Sequence, residues 1–440
     1  MVAVVVTLGG RPDRPALIAA DGSTYAYSKL ATMAEQAALE LDGDLVITSD
    51  AGMPVIANII GALRKGLWAA LVNPRLSDAE KAELYASLDD VPPGTAVVLF
   101  TSGTTGRPKA VPISAAALEA RISFFTRARR PPEVRLLCVP LFHVGGLLGL
   151  LVNLAGGHTT VLQPRFDAGQ WLELVDRHRV QATFVVPTML HRILDHPRFS
   201  STDLSSLTSL SYGAAPMPPD LIDRAIDALP GVGFVNTFGQ TETVGGITML
   251  GPEDHRHPVR RRSVGRPLPG VEIRIVPDGG EGELWARHEG AGEWQRTGDV
   301  VRRDADGYLY VVGRLSDTIN RGGEKFGPTE VADVLRAHPA VVDVAVAGVP
   351  DAEMGQRVGA VVVVRTPVEP DELRAWCEGK LARHKHPERI AVVDALPLND
   401  LGKLDRRALL DLFSDARTAT IGAGSAKAHR TRPGSRGRRR

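Results

Sequence analysis

The sequence predicts an α/β protein: a large N-terminal domain with helices flanking mostly parallel sheets, and a smaller α+β domain near the C-terminus. Three observations support this prediction. Short β-rich runs alternate with helical segments through the first 300 residues, a period-2 pattern begins near residue 270, and a second compact block follows residue 318. At 440 residues the chain has room for several domains of about 100–200 residues each.

The N-terminal elements follow from apolar spacing. Ser28 is predicted to cap a helix whose apolar residues recur at three- and four-residue intervals from Leu30 to Leu41. The strands and helices that follow alternate, which predicts largely parallel sheets. The predicted strands are Thr95–Phe100, Arg135–Val139, Thr159–Leu162, Thr183–Val186 and Gly233–Phe238, and the predicted helices are Ser114–Thr126, Ala168–His178 and Pro218–Leu229.

The later elements change character. Val271–Val276 and Gly282–Ala286 alternate with period two around turn residues, which predicts a β-ribbon subdomain at about 265–313. The small block contains a predicted helix at Pro328–Ala337, strands at Val341–Val349 and Gly359–Arg365, and a helix that begins at Pro370. We divide the chain into an N-terminal domain at 1–313, a short connecting segment at 314–317, a small C-terminal domain at 318–413 and a basic tail at 414–440, which we expect to be disordered.

Composition and charge narrow the class of protein. Apolar residues make up 43% of the chain and charged residues 23%, so a sizeable core can form. The net charge of +1 includes eight Lys and Arg and no acid in residues 416–440, so residues 1–415 carry −7. This balance disfavours a nucleic-acid-binding body, although a tail that tethers the protein to a polyanion stays an alternative. Cys138 and Cys377 offer neither a disulfide framework nor metal-ligand spacing, which fits a cytoplasmic protein.

One apolar stretch, residues 136–154, is long enough to be weighed as a membrane span. It contains Pro140, His143, a Gly145–Gly146 pair and Asn153. We therefore predict a buried strand, a turn and a core helix, and no membrane span. The N-terminus lacks the positive region and the long apolar core of a signal peptide.

The strongest local motif is a loop rich in glycine and hydroxyl residues that follows a β-rich run and ends in a lysine. Glycines allow backbone N–H groups to surround an anion, hydroxyls add donors, and lysine adds a mobile positive charge. The spacing is not that of a Walker A loop, because two residues rather than four separate the glycines. The residues predicted to hold phosphate are Thr101, Ser102, Gly103, Thr104, Thr105, Gly106 and Lys109.

Residues 101–109 resemble the phosphate loop of the acyl-adenylate-forming superfamily, which includes acyl-CoA ligases, adenylation domains of nonribosomal peptide synthetases, and luciferases. Later motifs follow in that family's order, so the resemblance extends from about residue 95 to 407. It implies that ATP, Mg²⁺ and CoA are the cofactors or co-substrates, and that the protein is a ligase that forms an acyl-adenylate. It also implies that residues 314–317 form a hinge and that residues 318–413 form a mobile lid domain.

The most specific motif is Asn-Thr-Phe-Gly-Gln-Thr-Glu-Thr at residues 236–243. The resemblance places Phe238 against adenine, where the family more often has Tyr, with Thr241 near the α-phosphate and Glu242 on Mg²⁺. The family also binds the ribose through an Asp and an Arg. The remaining predicted nucleotide contacts are Gly213, Ala214, Ala215 and Pro216 in an adenine-side loop, Gly239 in this motif, and Asp299 and Arg314 near the ribose.

The resemblance also assigns residues to the acid and the thiol. Lys403, in a loop at 397–406, would bridge the carboxylate and the nucleotide, because a cation offsets the repulsion between two anions. Gly322 and Gly323 would leave room for the pantetheine arm of CoA. The predicted catalytic set is Thr104, His143, Glu242 and Lys403, and the residues predicted to line the acyl pocket are His143, Val144, Val185, Thr237 and Val244–Gly246.

These motifs predict an ATP-dependent carboxylic acid–CoA ligase that makes an acyl-adenylate and pyrophosphate, and then an acyl-CoA and AMP. Two alternatives stay open: a freestanding adenylation enzyme that loads a carrier protein or forms an amide, and a catalytically silent nucleotide-binding regulator. Glu242 and Lys403 are both present, which disfavours the silent regulator. The acid stays open among aryl, o-succinylbenzoate-like and fatty acids.

Overall fold

The computed structural model describes residues 7–102, 108–128, 131–277, 279–288, 293–398, 404–413 and 419–420. These residues form two compact units: the first unit extends to Ser316 and the second unit begins at Asp317. The division lies inside the stretch predicted as a hinge. Motion at that hinge stays a prediction.

The first unit alternates strands and helices along its N-terminal part, as the sequence predicts. Its strands are β1 Pro15–Ile18, β2 Thr24–Ala26, β3 Leu45–Ile47, β4 Ala69–Leu71, β5 Thr95–Ser102, β6 Pro108–Ser114, β7 Val134–Leu137, β8 Thr159–Leu162, β9 Ala182–Val185, β10 Ser209–Gly213, β11 Gly233–Gln240, β12 Gly245–Leu250, β13 Arg266–Pro267, β14 Val271–Val276, β15 Glu281–His288, β16 Gln295–Arg303 and β17 Leu309–Arg314. Its helices are α1 Tyr27–Glu40, α2 Met53–Lys65, α3 Asp78–Ala86, α4 Ala115–Thr126, α5 Val144–Ala155, α6 Ala168–His178, α7 Pro187–Leu194, α8 Pro219–Ala228 and α9 Pro252–His255.

Three sheets make up the described part of the first unit. The largest has the order β13-β12-β11-β10-β9-β7-β8-β1-β2, and its pairs from β11 through β1 are parallel. A second sheet, β3-β4-β5-β6, is parallel except for the β5–β6 hairpin. The third, β14-β15-β16-β17, is antiparallel throughout and is the predicted β-ribbon subdomain.

Helices cover both faces of the largest sheet. One apolar core joins α1, α2, α4 and α5 to strands of the two parallel sheets, and includes Leu30, Ile60 and Leu151. The opposite face packs on α6, α7 and α8 through residues such as Trp171 and Leu190. Because parallel strands are buried on both faces, their side chains form near-continuous apolar runs. This is why short apolar runs in the sequence predict these strands well.

In the first unit, the Ser28 cap and the division of residues 136–154 have different outcomes. Ser28 does not cap α1: the helix begins at Tyr27, and its N-cap residue is Ala26, whose side chain forms no capping hydrogen bond. Backbone carbonyls of Pro12 and Arg14 accept from Ser28 N and Tyr27 N instead. Residues 136–154 divide into the end of β7, a turn and the 12-residue helix α5. In the described part of the chain, no helix is both long and apolar enough to cross a bilayer.

The second unit is a small α+β fold with its own core, which includes Val331, Leu335 and Val358. Its sheet has the order β19-β18-β21-β22-β23, with β20 paired to β21. The strands are β18 Ile319–Arg321, β19 Glu324–Phe326, β20 Val341–Asp351, β21 Gly355–Val364, β22 Arg389–Val393 and β23 Ala419–Thr420, and the helices are α10 Pro328–Arg336, α11 Pro370–Trp376 and α12 Arg406–Asp411.

One feature of the second unit differs from expectation. Ala419 and Thr420, in the segment predicted to be disordered, pair with Ile390 and Arg389 of β22. The prediction was therefore wrong for these two residues. The outer edge of β22 offers unpaired backbone groups, which accept a further strand. The rest of residues 414–440 lies outside the described residues.

Candidate active site

The strands on either side of the predicted phosphate loop form a hairpin. Thr101 of β5 pairs with Lys109 of β6, and Ser102 pairs with Pro108, so the loop leaves and re-enters the sheet at one place. Lys109 is exposed and Thr101 is half-buried. Gly103, Thr104, Thr105 and Gly106 lie outside the described residues, so their phosphate-binding and catalytic roles stay predictions.

The adenine-side residues follow the carboxyl end of β10, where ligands commonly bind in open α/β sheets. Gly213 pairs with Thr237 of β11, and a Cβ on Gly213 would lie 2.2 Å from the Thr237 carbonyl oxygen. Glycine is therefore required where these strands approach. Ala214 adopts φ +66°, an unusual left-handed conformation for a residue with a side chain. The loop Ala214–Pro216 thus turns sharply away from the sheet end.

Phe238 and Gly239 lie in β11 near its carboxyl end, opposite β12. Gly239 is tightly enclosed, because a Cβ there would lie 2.0 Å from the Gly245 carbonyl oxygen. Phe238 is half-buried and contacts the apolar cluster that contains Ile247 and Val301. Since Val301 belongs to β16, this cluster joins the largest sheet to the strand that carries Asp299.

Glu242 lies in the turn between β11 and β12. Its Oε1 is 3.4 Å from Thr101 Oγ1, although 141 residues separate them in sequence. This contact brings the phosphate-loop strand and the most specific motif together, as the sequence predicts. Thr241, beside Glu242, is half-buried in the same turn.

The surroundings of Glu242 suit a hard cation. The carboxylate is half-buried. A carboxylate oxygen is a ligand that Mg²⁺ prefers, and Mg²⁺ typically takes one or two carboxylates together with water and substrate phosphates. No group of three or more His, Cys, Asp or Glu in the described residues could hold a metal. The half-buried Glu242 carboxylate has the chemistry of a ligand for a Mg²⁺ shared with substrate phosphates, and this role stays a prediction.

Asp299 and Arg314 lie opposite each other on β16 and β17. Arg314 Nε donates to Asp299 Oδ1 over 2.6 Å, and the aspartate is only 5% exposed. The Asp299 backbone N–H donates to Thr297 Oγ1, which in turn donates to the Leu284 carbonyl. The structure therefore brings these two predicted ribose ligands together and fixes the carboxylate in one orientation.

His143 precedes α5 as its N-cap residue, and it is half-buried rather than part of the core. Its ring lies 4.5 Å from the Phe142 ring, centroid to centroid. The Pro140 carbonyl accepts from the His143 N–H and closes the turn that enters the helix. The residue therefore follows the carboxyl end of β7, as a pocket-lining role requires, and that role stays a prediction.

The remaining predicted residues follow Asp317 in the sequence, and Gly322 and Gly323 lie in the second unit. Gly322 and Gly323 adopt φ +58° and +95° in the two-residue turn between β18 and β19, a geometry that favours glycine. The loop that contains Lys403 is closed at its base, because Leu398 and Leu404 form an antiparallel bridge and Asp405 N donates to the Pro397 carbonyl. Lys403 itself lies outside the described residues, so its catalytic role stays a prediction.

Two residues of the first unit that contact the segment around Glu242 were not predicted from the sequence. Arg121 of α4 is 4% exposed and donates to the Gly246 carbonyl, and His288 of β15 lies 2.9 Å from the Thr243 carbonyl. A signal for Arg121 was present, because it falls among the buried helix positions Ala115, Leu118 and Ile122. His288 had no comparable signal, since it ends an ordinary alternating strand.

Comparison with known families explains this arrangement. Residues 77–293 match the AMP-binding enzyme model, and residues 330–403 match the AMP-binding enzyme C-terminal domain model. A feruloyl-CoA synthase from an Amycolatopsis species is 37% identical, over 74% of this chain and 71% of that protein. The medium/long-chain-fatty-acid–CoA ligase FadD8 of Mycobacterium tuberculosis is 33% identical, over 76% of this chain and 64% of that protein.

Solved structures agree with the sequence matches. The o-succinylbenzoate CoA synthetase MenE of Bacillus subtilis, in complex with its acyl-adenylate intermediate, has a TM-score of 0.79 and 27% identity, covering 93% of this chain and 97% of that one. The amide bond synthetase McbA of Marinactinospora thermotolerans has a TM-score of 0.80 and 26% identity, covering 92% and 97%. The chain therefore belongs to the AMP-binding enzyme family, within the acyl-adenylate-forming superfamily of AMP-dependent acyl-CoA synthetases and ligases.

Proposed function

We propose that the chain is an ATP-dependent carboxylic acid–CoA ligase. A carboxylate oxygen attacks the α-phosphorus of ATP, the bond to the β-phosphate oxygen breaks, and pyrophosphate leaves. The CoA sulfur then attacks the acyl carbon, AMP leaves, and the thiol proton passes to solvent. The observation that carries this proposal is the Thr101–Glu242 contact of 3.4 Å, because it joins the two motifs that the first half-reaction needs.

The proposed roles in the first half-reaction follow the chemistry of each side chain. Residues 101–109, including Lys109, hold the phosphates through backbone N–H groups, hydroxyls and one mobile cation. Asp299 accepts hydrogen bonds from the ribose hydroxyls, because an ionised carboxylate has acceptor sites for both. Arg314 keeps that carboxylate oriented through the 2.6 Å contact. Phe238 offers a ring face to the adenine.

Glu242 is the residue proposed to hold Mg²⁺. The ion, when bound with the nucleotide, would neutralise charge on the phosphate oxygens and favour departure of pyrophosphate. Thr101 contacts the same carboxylate, so this hydroxyl is proposed to restrict where the carboxylate points. Lys403 is proposed to place a positive charge on the oxygens shared by the acid and the α-phosphate. Gly322 and Gly323 are proposed to border the path of the pantetheine arm.

We further propose that the acid is an aromatic carboxylic acid. Support comes from the names of relatives: a feruloyl-CoA synthase at 37% identity, a 2-succinylbenzoate–CoA ligase at 33% and an indoleacetate–CoA ligase at 34% act on acids that contain a ring. The FadD8 match supports a medium or long fatty acid as the second candidate. Small residues at Gly245 and Gly246, predicted to line the pocket, leave room for an aryl group or a medium-to-long alkyl group.

A two-part assay tests the proposal. Carboxylate-dependent exchange of labelled pyrophosphate into ATP measures the first half-reaction, and thioester formation with CoA measures both. The acids to compare are phenylpropenoates, arylacetates, benzoates and fatty acids of eight to sixteen carbons. We expect exchange with ring-containing acids, and its absence over the whole panel would contradict the proposal.

Glu242→Gln provides the site-specific test. The substitution removes the charge that suits Mg²⁺ with little change in shape, so we expect exchange to fall about 10²-fold and the Mg²⁺ requirement to rise. Glu133→Gln is the matched control, because Glu133 is also half-buried but pairs with Arg135 on β7. Equal losses in the two variants would contradict the role of Glu242.

The identity of the acceptor needs its own experiment. The similarity to an amide bond synthetase supports an amine as an alternative acceptor, and a carrier protein bears the same pantetheine arm as CoA. Preformed acyl-adenylate is offered with CoA, with phosphopantetheinylated carrier protein or with an amine. We expect CoA to consume the adenylate fastest, and faster consumption by an amine would replace the ligase proposal with amide synthesis.

A further inference from the structure

We propose that Arg121 and His288 form a clamp that positions the turn carrying Glu242, by donating to two backbone carbonyls of residues 240–246. We call residues 240–246 the motif turn. This inference rests on the proposed function, because it assigns Arg121 and His288 to the step in which Glu242 acts. Arg121 and His288 are positioning residues: the contacts found for them are with protein backbone and neighbouring rings.

The motif turn has a conformation that needs external support. Val244 adopts φ +52°, which is rare for a β-branched residue, and Gly245 follows at φ +90°. Inside the turn, Thr243 Oγ1 lies 2.8 Å from the Gly245 carbonyl and accepts from Gln240 N. A backbone held in sparsely populated conformations persists only where its surroundings determine it. Contacts from other elements therefore decide whether Glu242 stays in place.

Arg121 supplies one such contact from α4. Its Nη2 donates to the Gly246 carbonyl over 2.5 Å, and its guanidinium carbon lies 5.1 Å and 5.5 Å from the ring centroids of Phe125 and Phe124. Burial lowers the pKa of Arg121 to about 10, so the side chain remains charged at neutral pH. Its Nε is buried, and none of the described residues forms a hydrogen bond with it.

A buried cation of this kind calls for an explanation. Within the described ranges, no Asp or Glu forms an ion pair with Arg121, and the contacts of its guanidinium are one carbonyl and two aromatic rings. Burying a charge without a counter-ion is costly, and an apolar residue would serve packing alone better. The strong charge-assisted hydrogen bond from Arg121 to the Gly246 carbonyl offsets that desolvation cost.

His288 supplies the second contact from β15. Its Nε2 lies 2.9 Å from the Thr243 carbonyl, and because a carbonyl only accepts, Nε2 carries the proton. Burial and the nearby charge of Arg121 lower the pKa of His288, so the neutral ring donates this bond at pH 7. The two carbonyls, Thr243 and Gly246, flank Val244 and Gly245. Arg121 and His288 therefore bind the motif turn on both sides of its strained residues.

The consequence is specific to the first half-reaction. Glu242 precedes Thr243 directly, so a shift of the Thr243 carbonyl moves the carboxylate that meets Thr101 at 3.4 Å. A misplacement of about 1 Å costs on the order of 10²-fold in rate. Attack of CoA on a finished acyl-adenylate needs no Mg²⁺ on the departing pyrophosphate. Loss of the clamp should therefore slow adenylation much more than thioester formation.

The test uses conservative and disruptive pairs in the full chain. Arg121→Lys and His288→Gln each keep a donor, whereas Arg121→Met and His288→Leu remove it. We expect the disruptive variants to lower kcat/KM for pyrophosphate exchange about 10²-fold. The conservative variants should retain most of the wild-type kcat/KM for pyrophosphate exchange. The kcat/KM for thioester formation from supplied acyl-adenylate should change less than about threefold in these variants. Titration calorimetry of MgATP gives a readout independent of turnover.

Arg135→Met is the matched control. Arg135 of β7 is 20% exposed and bonds Glu133, which precedes that strand, and Asn153 of α5, so its loss also removes a largely buried cation but leaves the motif turn untouched. We expect it to lower the melting temperature without changing the ratio of the two half-reactions. If Arg121→Met fails to fold, Arg121→Lys and both His288 variants still carry the comparison.

A double variant separates a shared clamp from two unrelated contacts. Because both residues act on one turn, Arg121→Met with His288→Leu should lose less than the product of the single losses. If the double variant loses the full product of the two single losses, or if both half-reactions are slowed equally, the clamp proposal is contradicted. A different result would contradict the proposed function: the unmodified chain would show no pyrophosphate exchange with any acid.

Discussion

Asp299 and Arg314 face each other across β16 and β17, with Arg314 Nε 2.6 Å from Asp299 Oδ1. The two differ in exposure: the aspartate side chain is 6% exposed and the arginine side chain 52%. The carboxylate is thus fixed within the protein, while much of its cationic partner faces solvent. Such a pair orients an acceptor group toward a ligand at low cost, because only one member is fully desolvated.

Asp299→Asn should weaken nucleotide binding. The amide keeps the shape but loses the charge that Arg314 pairs with, and it offers the ribose one acceptor oxygen instead of two. Hydrogen bonds to a charged group contribute about 1.5–3 kcal/mol, so we expect KM for ATP to rise about 10- to 100-fold. Asp306→Asn, at an exposed position between the same strands, is the control and should leave KM unchanged. An unchanged KM for Asp299→Asn would contradict the ribose assignment.

Lys403→Ala should separate the two half-reactions. If Lys403 acts on the oxygens shared by the acid and ATP, its removal lowers pyrophosphate exchange about 10²- to 10³-fold. The variant should still convert a supplied acyl-adenylate and CoA into thioester. Lys380→Ala, on the surface of the second unit, is the control and should retain both reactions. Loss of both half-reactions in Lys403→Ala would rule out the proposed role.

Gly213→Ala should destabilise the protein and impair adenine binding together. The new Cβ would lie 2.2 Å from the Thr237 carbonyl oxygen, so β10 and β11 must separate at the site. Overpacking of this kind costs about 1–3 kcal/mol. Gly231→Ala is the control, since a Cβ there meets nothing within 4 Å. Chemical denaturation measures the free energy of unfolding, and AMP titration measures binding; equal stability of the two variants would contradict the close approach.

His255 should make stability depend on pH. Its Nδ1–H donates to the Gly251 carbonyl, and its Nε2 accepts from the hydroxyl of buried Tyr212. Burial is the main cause that lowers the pKa of His255 below the ordinary value of 6.5. Its contribution is therefore complete above pH 6.5 and is lost as the pH falls from 6.5 toward the lower folded pKa, because the unfolded chain takes up the proton first.

His255→Gln tests this dependence. We expect the difference in unfolding free energy between wild type and variant to be constant above pH 7 and to shrink between pH 6.5 and 5, as measured by urea denaturation. His257→Gln, an exposed position two residues away, should follow the wild-type curve. A constant difference down to pH 5 would show that His255 does not couple folding to protonation.

The sequence by itself determined the alternation of strands and helices, because parallel strands buried on both faces leave apolar runs that the chain shows directly. It also determined the family, since loop motifs such as residues 101–109 and 236–243 depend on residue type at fixed local spacing. The start of α1 at Tyr27 was predicted wrongly, because it does not depend on residue type at fixed local spacing. Its first N–H groups are satisfied by Pro12 and Arg14, which reach it only in the folded chain.

Only the tertiary structure decided which separated residues meet. Local spacing cannot reveal that Thr101 contacts Glu242, that Gly213 is needed by Thr237, or that Arg121 and His288 hold one turn from a helix and a strand. These relationships depend on sheet order and on the positions of α4 and β15 relative to residues 240–246. Sequence therefore specifies the groups that can do the chemistry, whereas packing fixes the positions at which they can act.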